Sequence, residues 1–282
     1  MKKIFKILIT ITSILLIISC SNNNKTDNTA LSENTSGVIR VATPGKHPLF
    51  SYPNSEGKLE GYDIDIWEEI GKRLNKKIEW TQIALDGAFG SLDTDKVDSV
   101  TQQISITPAR MEKYYFAEPY FLSPYKLCVA GTNNSINSLK DMEGKKLGIP
   151  LGDSAHEFIK VLDPDGKIEI VSYSSESGAT SPNNVASGKI DAYTEAVIIF
   201  DKKKESSGKD IKMVGDVIFT EVNAFPFRKD ESGKKLCDEV SKVIVEMRED
   251  GTLEKLAVKW FGYNPMEGLD FQAELDKLLS NF

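Results

Sequence analysis

The run Val38-Ile-Arg-Val-Ala-Thr43 is rich in β-branched residues and is followed by the turn signal Pro44-Gly45, so it predicts a short β-strand. Beyond Gly61, apolar residues recur every four positions and predict a helix with one buried face. Residues 77–82 again favour a strand. The start of the folded chain therefore predicts a βαβ unit.

The alternation of strands and helices continues along the chain. A second set begins with the strand predicted at residues 146–150. Alternating elements imply mostly parallel sheets with helices on both faces. We therefore expect an α/β protein of two lobes with a cleft between them. Such clefts, and the carboxyl ends of parallel strands, are preferred ligand sites.

The composition is that of a globular chain of about two domains. Its 282 residues exceed the roughly 150 of a single average domain. Acidic residues (42) outnumber basic ones (35), which argues against a nucleic-acid partner because such partners are bound through basic surfaces. No P-loop or GxSxG motif occurs, and His47 and His156 are the only histidines that could act as general bases. The sequence favours binding over catalysis.

The N-terminus has the order of a secretory signal, a basic start followed by an apolar run from Ile7 to Ile18. This run has 12 residues, fewer than the roughly 20 that a membrane-spanning helix needs. Its end, Ile17-Ile-Ser-Cys20, resembles the bacterial lipobox, which implies cleavage before Cys20 and a lipid on its sulfur. We expect residues 1–19 to be a signal peptide and the polar residues 20–37 to be a flexible tether.

Two further cysteines, Cys128 and Cys237, allow one disulfide but do not require it. Each lies in an apolar segment, so we expect each to be a small buried residue rather than a redox or metal group. The sequence contains no CxxC motif or His/Cys cluster, so no metal is predicted.

The run from Asp98 to Arg110 is the best candidate for a ligand site. Gln102, Gln103 and Ser105 follow a predicted strand and can hydrogen-bond an anion. Arg110 lies on the next predicted helix, and its planar guanidinium suits a carboxylate. The alternative is that Arg110 pairs with an acidic residue on the surface.

Several motifs in the same order resemble the amino-acid-binding proteins of ABC importers. They include Gly61-Tyr-Asp-Ile-Asp65, Ile104-Ser-Ile-Thr107 with Arg110, Phe116-Ala-Glu-Pro-Tyr120 and Lys259-Trp-Phe-Gly262. The resemblance covers about residues 38–264. It implies the type 2 periplasmic binding protein fold, in which two α/β lobes are joined by two crossing strands and close on a ligand.

The resemblance also implies domain boundaries. Lobe 1 is expected at 38–126 and 226–264 and lobe 2 at 127–225, with hinge strands at 125–130 and 223–228. Residues 265–282 lie beyond the family's usual end and predict a helical extension. This extension is expected to pack on a lobe, and a partner-binding role is the alternative.

Matching the family's site residue by residue places Arg110 on the α-carboxylate of the ligand, assisted by Ser105, Gln102 and Gln103. Asp153 and Ser154 lie in a second-lobe loop that meets the same carboxylate, and this loop leads into a helix N-terminus, where anions bind readily. The alternative for Ser154 is that it only caps that helix.

His47 and Leu85 match positions that cover the two sides of the ligand side chain. Many relatives have an aromatic residue where this chain has His47, and the alternative is an exposed loop histidine. Relatives usually bind the ligand ammonium with a carboxylate at the position of Ala196. Glu195 is expected to replace it, unless it is a residue of a helical first turn favoured by the dipole.

We therefore expect a monomeric, lipid-anchored binding protein on the extracytoplasmic face of a membrane. It would capture a polar amino acid and deliver it to an ABC permease and its ATPase, without a cofactor and without catalysis. Thr101-Gln-Gln-Ile104 resembles cystine-binding members. Arginine or lysine is the alternative ligand, if Asp153 and Glu195 both face it. A dehydratase-like enzyme with Glu195 as general acid and a sensor lipoprotein are the alternatives of another class.

Overall fold

The computed structural model describes residues 37–174, 180–280 and 282. Cys20, the predicted signal peptide and residues 20–36 of the predicted tether lie outside the described residues. None of the helices in the described ranges is long and apolar enough to cross a membrane.

Strands and helices alternate along the chain, as the sequence predicts. The strands are β1 Val38–Thr43, β2 Tyr52–Pro53, β3 Leu59–Glu60, β4 Lys77–Gln82, β5 Ser99–Val100, β6 Tyr114–Phe116, β7 Phe121–Ala130, β8 Lys146–Pro150, β9 Glu169–Tyr173, β10 Ala192–Ala196, β11 Ile211–Asn223 and β12 Pro226–Arg228. The α-helices are α1 Tyr62–Leu74, α2 Leu85–Asp93, α3 Pro108–Lys113, α4 Ala155–Leu162, α5 Thr180–Ala186, α6 Phe200–Ser207, α7 Glu231–Glu249, α8 Thr252–Phe261 and α9 Phe271–Ser280. Short 3₁₀ turns occur at Leu139–Met142 and Val197–Ile199.

The first lobe contains a parallel sheet in the order β4-β1-β5, which confirms the predicted βαβ unit. Helix α1 buries Ile66, Trp67 and Ile70 against it. The helix starts directly after Gly61, whose φ of +137° and contact with the Phe50 carbonyl leave no room for a side chain. The turn before α1 therefore depends on glycine at this position.

The second lobe contains a five-stranded sheet in the order β11-β7-β10-β8-β9. Here β8 pairs parallel with β9 and β10, whereas β7 pairs antiparallel with β10 and β11. This sheet is mixed, not mostly parallel. The reason is that β7 and β11 are the segments by which the chain enters and leaves the lobe, so they run in opposite directions.

The two lobes are joined by two neighbouring segments. The backbone N–H of Ala117 donates to the Phe225 carbonyl and that of Tyr120 to the Asn223 carbonyl, both at 3.0 Å. The crossing therefore lies slightly before the strand predicted at 125–130, which belongs to the second sheet. The hinge strand expected at 223–228 likewise falls on two strands: β11 ends at Asn223 and pairs with β7, and β12 pairs with β6 in the first lobe.

Both described cysteines are free and buried, as small apolar residues would be. Cys128 packs with Tyr193 and Ile211, while Cys237 packs in the separate cluster around α1 and α7. Burial raises the pKa of both thiols. Each thiol therefore stays protonated and unreactive at neutral pH.

The C-terminal segment contains α9, which packs on the second lobe. Leu278 is 4% exposed and belongs to the apolar cluster of that lobe. Met266 precedes the helix, and its sulfur accepts a hydrogen bond from the backbone N–H of Leu122 at 3.1 Å. On the first-lobe side, the guanidinium of Arg248 lies 4.8 Å from the centre of the Phe271 ring. The segment thus contacts both lobes.

We expect Leu278→Ala to lower the free energy of unfolding by about 2 kcal/mol or more, because it leaves a cavity between α9 and the second lobe. Urea unfolding followed by circular dichroism measures the change. Leu269→Ala is the matched control, since Leu269 is 44% exposed and little packing is lost. A loss for Leu278→Ala as small as that for Leu269→Ala would show that Leu278 adds no packing energy.

Candidate ligand-binding site

A cavity lies between the two lobes. The loop after β1 and the start of α2 form one side of it, and the loop after β8 and the end of β10 form the other. Among its lining residues are eight of the predicted ligand-binding residues: His47, Leu85, Gln102, Gln103, Arg110, Asp153, Ser154 and Glu195. The structure thus brings together residues that are far apart in sequence.

Arg110 extends from α3 toward the cavity. The helix begins at Pro108, and the Thr107 hydroxyl caps it by accepting the Arg110 backbone N–H at 3.3 Å. The guanidinium donates to two carbonyls at 2.9 Å, that of Ser105 in the first lobe and that of Gly152 in the second. No ion pair among the described residues involves Arg110, so the alternative of a surface ion pair is wrong. Burial lowers the pKa of Arg110, but a guanidinium stays charged in proteins.

Ser105 was expected to assist Arg110 in binding the ligand carboxylate, but its side chain lies elsewhere. Its side chain does not line the cavity, and its hydroxyl lies 3.4 Å from the Ile106 carbonyl. Only its own carbonyl contacts Arg110. Ser105 therefore positions the guanidinium through its backbone.

Gln102 and Gln103 lie where the first-lobe sheet meets the cavity. Gln103 has a φ of +49°, which is rare for a residue with a side chain. Asp63 holds this turn, because its Oδ2 accepts the Gln103 backbone N–H at 3.1 Å and the Thr101 hydroxyl at 2.9 Å. Within the described part of the chain, the buried Gln102 Oε1 and Gln103 Nε2 have no hydrogen-bond partner, so both can serve a ligand.

The second-lobe loop contributes Asp153 and Ser154. Ser154 precedes α4 but makes no side-chain cap, and Asp153 Oδ1 accepts the Ala155 N–H at 2.9 Å instead. The Ser154 hydroxyl donates to Glu221, another residue of the cavity wall. The alternative that Ser154 only caps the helix is therefore wrong, because its hydroxyl bonds Glu221 and makes no cap hydrogen bond.

Glu221 is a residue of the cavity that sequence analysis missed. It lies in β11 and is 2% exposed. Burial and the nearby charge of Asp153 raise the pKa of Glu221 to about 7, although the Ser154 hydroxyl and Arg110 oppose this shift. A single carboxylate within the apolar run Val217-Ile-Phe-Thr-Glu-Val222 was the signal that could have identified it.

Glu195 lies in strand β10, so it is not a residue of a helical first turn. It is 4% exposed and pairs with Lys203, whose Nζ lies 2.5 Å from Glu195 Oε2. Burial raises the pKa of Glu195 even though Lys203 favours the charged form. Residues 201–205 are a charged run of the kind that is usually solvated, but α6 turns the Lys203 side chain into the cavity wall.

His47 and Leu85 lie on the first-lobe side. His47 is half-buried, with its ring edge-on to Phe50 at 5.0 Å, so the alternative of an exposed loop histidine is wrong. Burial, with a smaller effect of Lys203, lowers the pKa of His47 to about 3 and keeps the ring neutral. Leu85 begins α2 and approaches Gly152 on the opposite lobe. No three His, Cys, Asp or Glu side chains in the described ranges could hold a metal ion.

Comparison with known proteins matches this architecture to one family. Residues 39–263 match the family model of bacterial extracellular solute-binding proteins, family 3. The chain is 37% identical over 224 residues to the "Putative amino-acid ABC transporter-binding protein PatH" of Vibrio harveyi, which covers 79% of this chain and 88% of that protein. It is 33% identical over 261 residues to the "Probable amino-acid-binding protein YxeM" of Bacillus subtilis, covering 93% and 96%.

The solved structure of a "Putative L-Cystine ABC transporter from Listeria monocytogenes" is also similar, with a TM-score of 0.73 and 31% identity. The match covers 81% of this chain and 98% of that one. The protein therefore belongs to the family 3 extracellular solute-binding proteins and has the type 2 periplasmic binding protein fold. It is an amino-acid-binding protein of ABC transport.

The buried carboxyl of Asp63, which bonds the Gln103 turn, should affect how the stability of the protein depends on pH. Burial raises its pKa from 3.8 to about 6, so the folded state binds a proton more tightly than the unfolded chain. Stability is therefore lost as pH rises from about 4 to about 6, by about 3 kcal/mol at most. We expect Asp63→Asn to flatten this part of the pH profile, measured by urea unfolding at several pH values.

Thr101→Val is the companion variant for this test. The Thr101 hydroxyl lowers the pKa of Asp63, so its removal should extend the loss of stability to higher pH. A wild-type pH profile in both variants would contradict the assignment of a raised pKa to Asp63.

Proposed function

We propose that the protein is a lipid-anchored receptor that captures a polar amino acid and delivers it to an ABC permease and its ATPase. The observation that carries this proposal is the guanidinium of Arg110. It lies in an inter-lobe cavity, where it donates to two backbone carbonyls and lies 5.2 Å from the centre of the Phe89 ring, and it forms no ion pair within the described residues. An α-carboxylate would complete its hydrogen bonds with an opposite charge.

The rest of the cavity suits the other polar groups of an amino acid. Gln103 supplies a buried donor, Nε2, and Gln102 a buried acceptor, Oε1, and both residues line the cavity. Asp153, Glu195 and Glu221 supply negative charge for an ammonium group. His47 and Leu85 then flank the ligand side chain.

The position of Arg110 couples ligand binding to the approach of the lobes. Its guanidinium already links the first lobe to the Gly152 carbonyl in the second. A ligand held by Arg110 on one side and by Asp153 or Ser154 on the other would favour the closed arrangement. Delivery to a permease requires the reverse motion, which lets the ligand leave.

Cystine is the ligand we favour, on the likeness of Thr101-Gln-Gln-Ile104 to cystine-binding relatives. The name of the similar Listeria monocytogenes structure points the same way. Arginine or lysine is the alternative, because Asp153 and Glu195 both line the cavity.

We propose that the protein is not an enzyme. In a dehydratase-like alternative, Glu195 would act as general acid, but its carboxylate is held in an ion pair with Lys203. Consumption of prephenate or arogenate by the purified protein would overturn this part of the proposal. Lipid attachment at Cys20 has its own test, since Cys20→Ser should abolish incorporation of labelled palmitate and release the protein from membranes.

We expect Arg110→Ala to weaken binding of the cognate amino acid by about 2–5 kcal/mol, because the ligand carboxylate would be left without its charge partner. Titration calorimetry of protein freed from co-purified ligand, against the twenty amino acids and cystine, measures the loss. Arg73→Ala is the control, since Arg73 pairs with Glu69 and Asp250 outside the cavity. Wild-type affinity in Arg110→Ala would remove the basis of the proposal.

A further inference from the structure

The cavity contains two separate pairs of opposite charges. The first pair is Arg110 and Glu221, which both hydrogen-bond the second-lobe loop. Arg110 donates to the Gly152 carbonyl, and the Ser154 hydroxyl, two residues further on, donates to Glu221. Each of these charges shifts the pKa of the other toward its charged form. Together they match the carboxylate and the ammonium of one amino-acid end.

The second pair is Lys203 and Glu195, from α6 and the end of β10. Their side chains are 17% and 5% exposed, and both line the cavity. Burying an ion pair costs desolvation energy that its mutual attraction often fails to repay. The pair is also incompletely bonded: an ammonium has three donors, and Glu195 is the one ion-pair partner of Lys203 among the described residues. Such a pair can form further hydrogen bonds with a ligand that carries both a carboxylate and an ammonium group.

Two other carboxylates of the cavity wall are engaged locally, and Lys46 also lines the cavity. Asp86 Oδ1 accepts the Gly87 N–H at 2.9 Å, and Asp153 Oδ1 accepts the Ala155 N–H at 2.9 Å. Both carboxylates thus hold the start of a helix. His47, which faces Lys203, is neutral and adds no charge.

We propose that Lys203 and Glu195 form a second subsite, which binds the far end of a ligand whose side chain itself carries a carboxylate and an ammonium group. This inference rests on the proposed function and makes its ligand more specific. The ligand class is a diamino-dicarboxylic acid, of which cystine and diaminopimelate are examples. Arg110 and Glu221 bind one end, and Lys203 and Glu195 bind the other.

Other side-chain classes fit the pair less well. A cationic side chain, as in arginine, would face the positive charge of Lys203, and an acidic one would face Glu195. An apolar side chain would desolvate both charges further without adding a hydrogen bond to either. Only a dipolar end offers each of the two charges an opposite one.

The test compares ligands with two amino-acid ends and ligands with one. Calorimetry of the full chain would use cystine, diaminopimelate, S-methylcysteine and arginine. We expect the wild-type protein to bind cystine or diaminopimelate at least about tenfold more tightly than S-methylcysteine. In Lys203→Met, the ratio of these affinities should fall by about tenfold or more.

Lys202→Met is the matched control, because Lys202 is on the same helix but is 58% exposed and does not line the cavity. It should keep the wild-type ratio. The double variant Lys203→Met with Glu195→Met leaves no unpaired buried charge, so it tests the idea even if Lys203→Met alone does not fold. Its affinity ratio should be as low as that of Lys203→Met.

The outcomes separate the two proposals. If no amino acid binds the wild-type protein, the proposed function itself fails. If amino acids bind and depend on Arg110, but one-ended ligands bind as tightly as two-ended ones, only the second subsite fails. An equal loss of all ligands in Lys203→Met and in the double variant would also overturn it, since the pair would then be structural.

Discussion

The side chain of Asn223 lies where the two lobes meet, and it bonds to both. It is fully buried, its Nδ2 donates to the Gln103 carbonyl at 2.8 Å, and its Oδ1 accepts the Ser123 hydroxyl at 2.7 Å. Nδ2 also lies 3.4 Å from Glu221 Oε2. One amide therefore links the crossing strands, the first-lobe turn and the carboxylate of the second lobe. Because a buried amide is costly unless it is fully bonded, this arrangement favours one position of the Gln103 turn and of Glu221 relative to the crossing strands.

Burial has opposite effects on the acidic and the basic groups around this junction. It raises the pKa of Asp63 and of Glu221, and it lowers the pKa of His47. In each case the neutral form is favoured, because few water molecules solvate the charge. Arg110 is the exception, since a guanidinium does not lose its proton. The cavity thus has a permanent positive charge beside carboxylates that a cationic group of a ligand would keep ionised.

Local patterns predicted much of the first lobe. The β-branched run of β1, the apolar spacing of α1 and the helix predicted to contain Arg110 each depend on short-range patterns, and all three elements are present. Strand β11 was largely missed, because Gly215 and Asp216 interrupt its pattern where the pairing with β7 changes register. Glu221 was missed with it. A single polar residue in a strand creates no periodic sequence pattern. Only the residues around it in the structure therefore show that it faces a cavity.

The sequence alone determined the α/β class and the family, because these depend on periodicity and on the order of short motifs along the chain. Only the tertiary structure decided which charges are paired. Glu195 and Lys203 are eight residues apart and become partners because a strand and a helix meet at the cavity wall. Ser154 and Glu221, from separate elements, meet in the same way. Hydrogen bonds and ion pairs require atoms within about 3 Å, and only the packing of the lobes sets such distances across the chain.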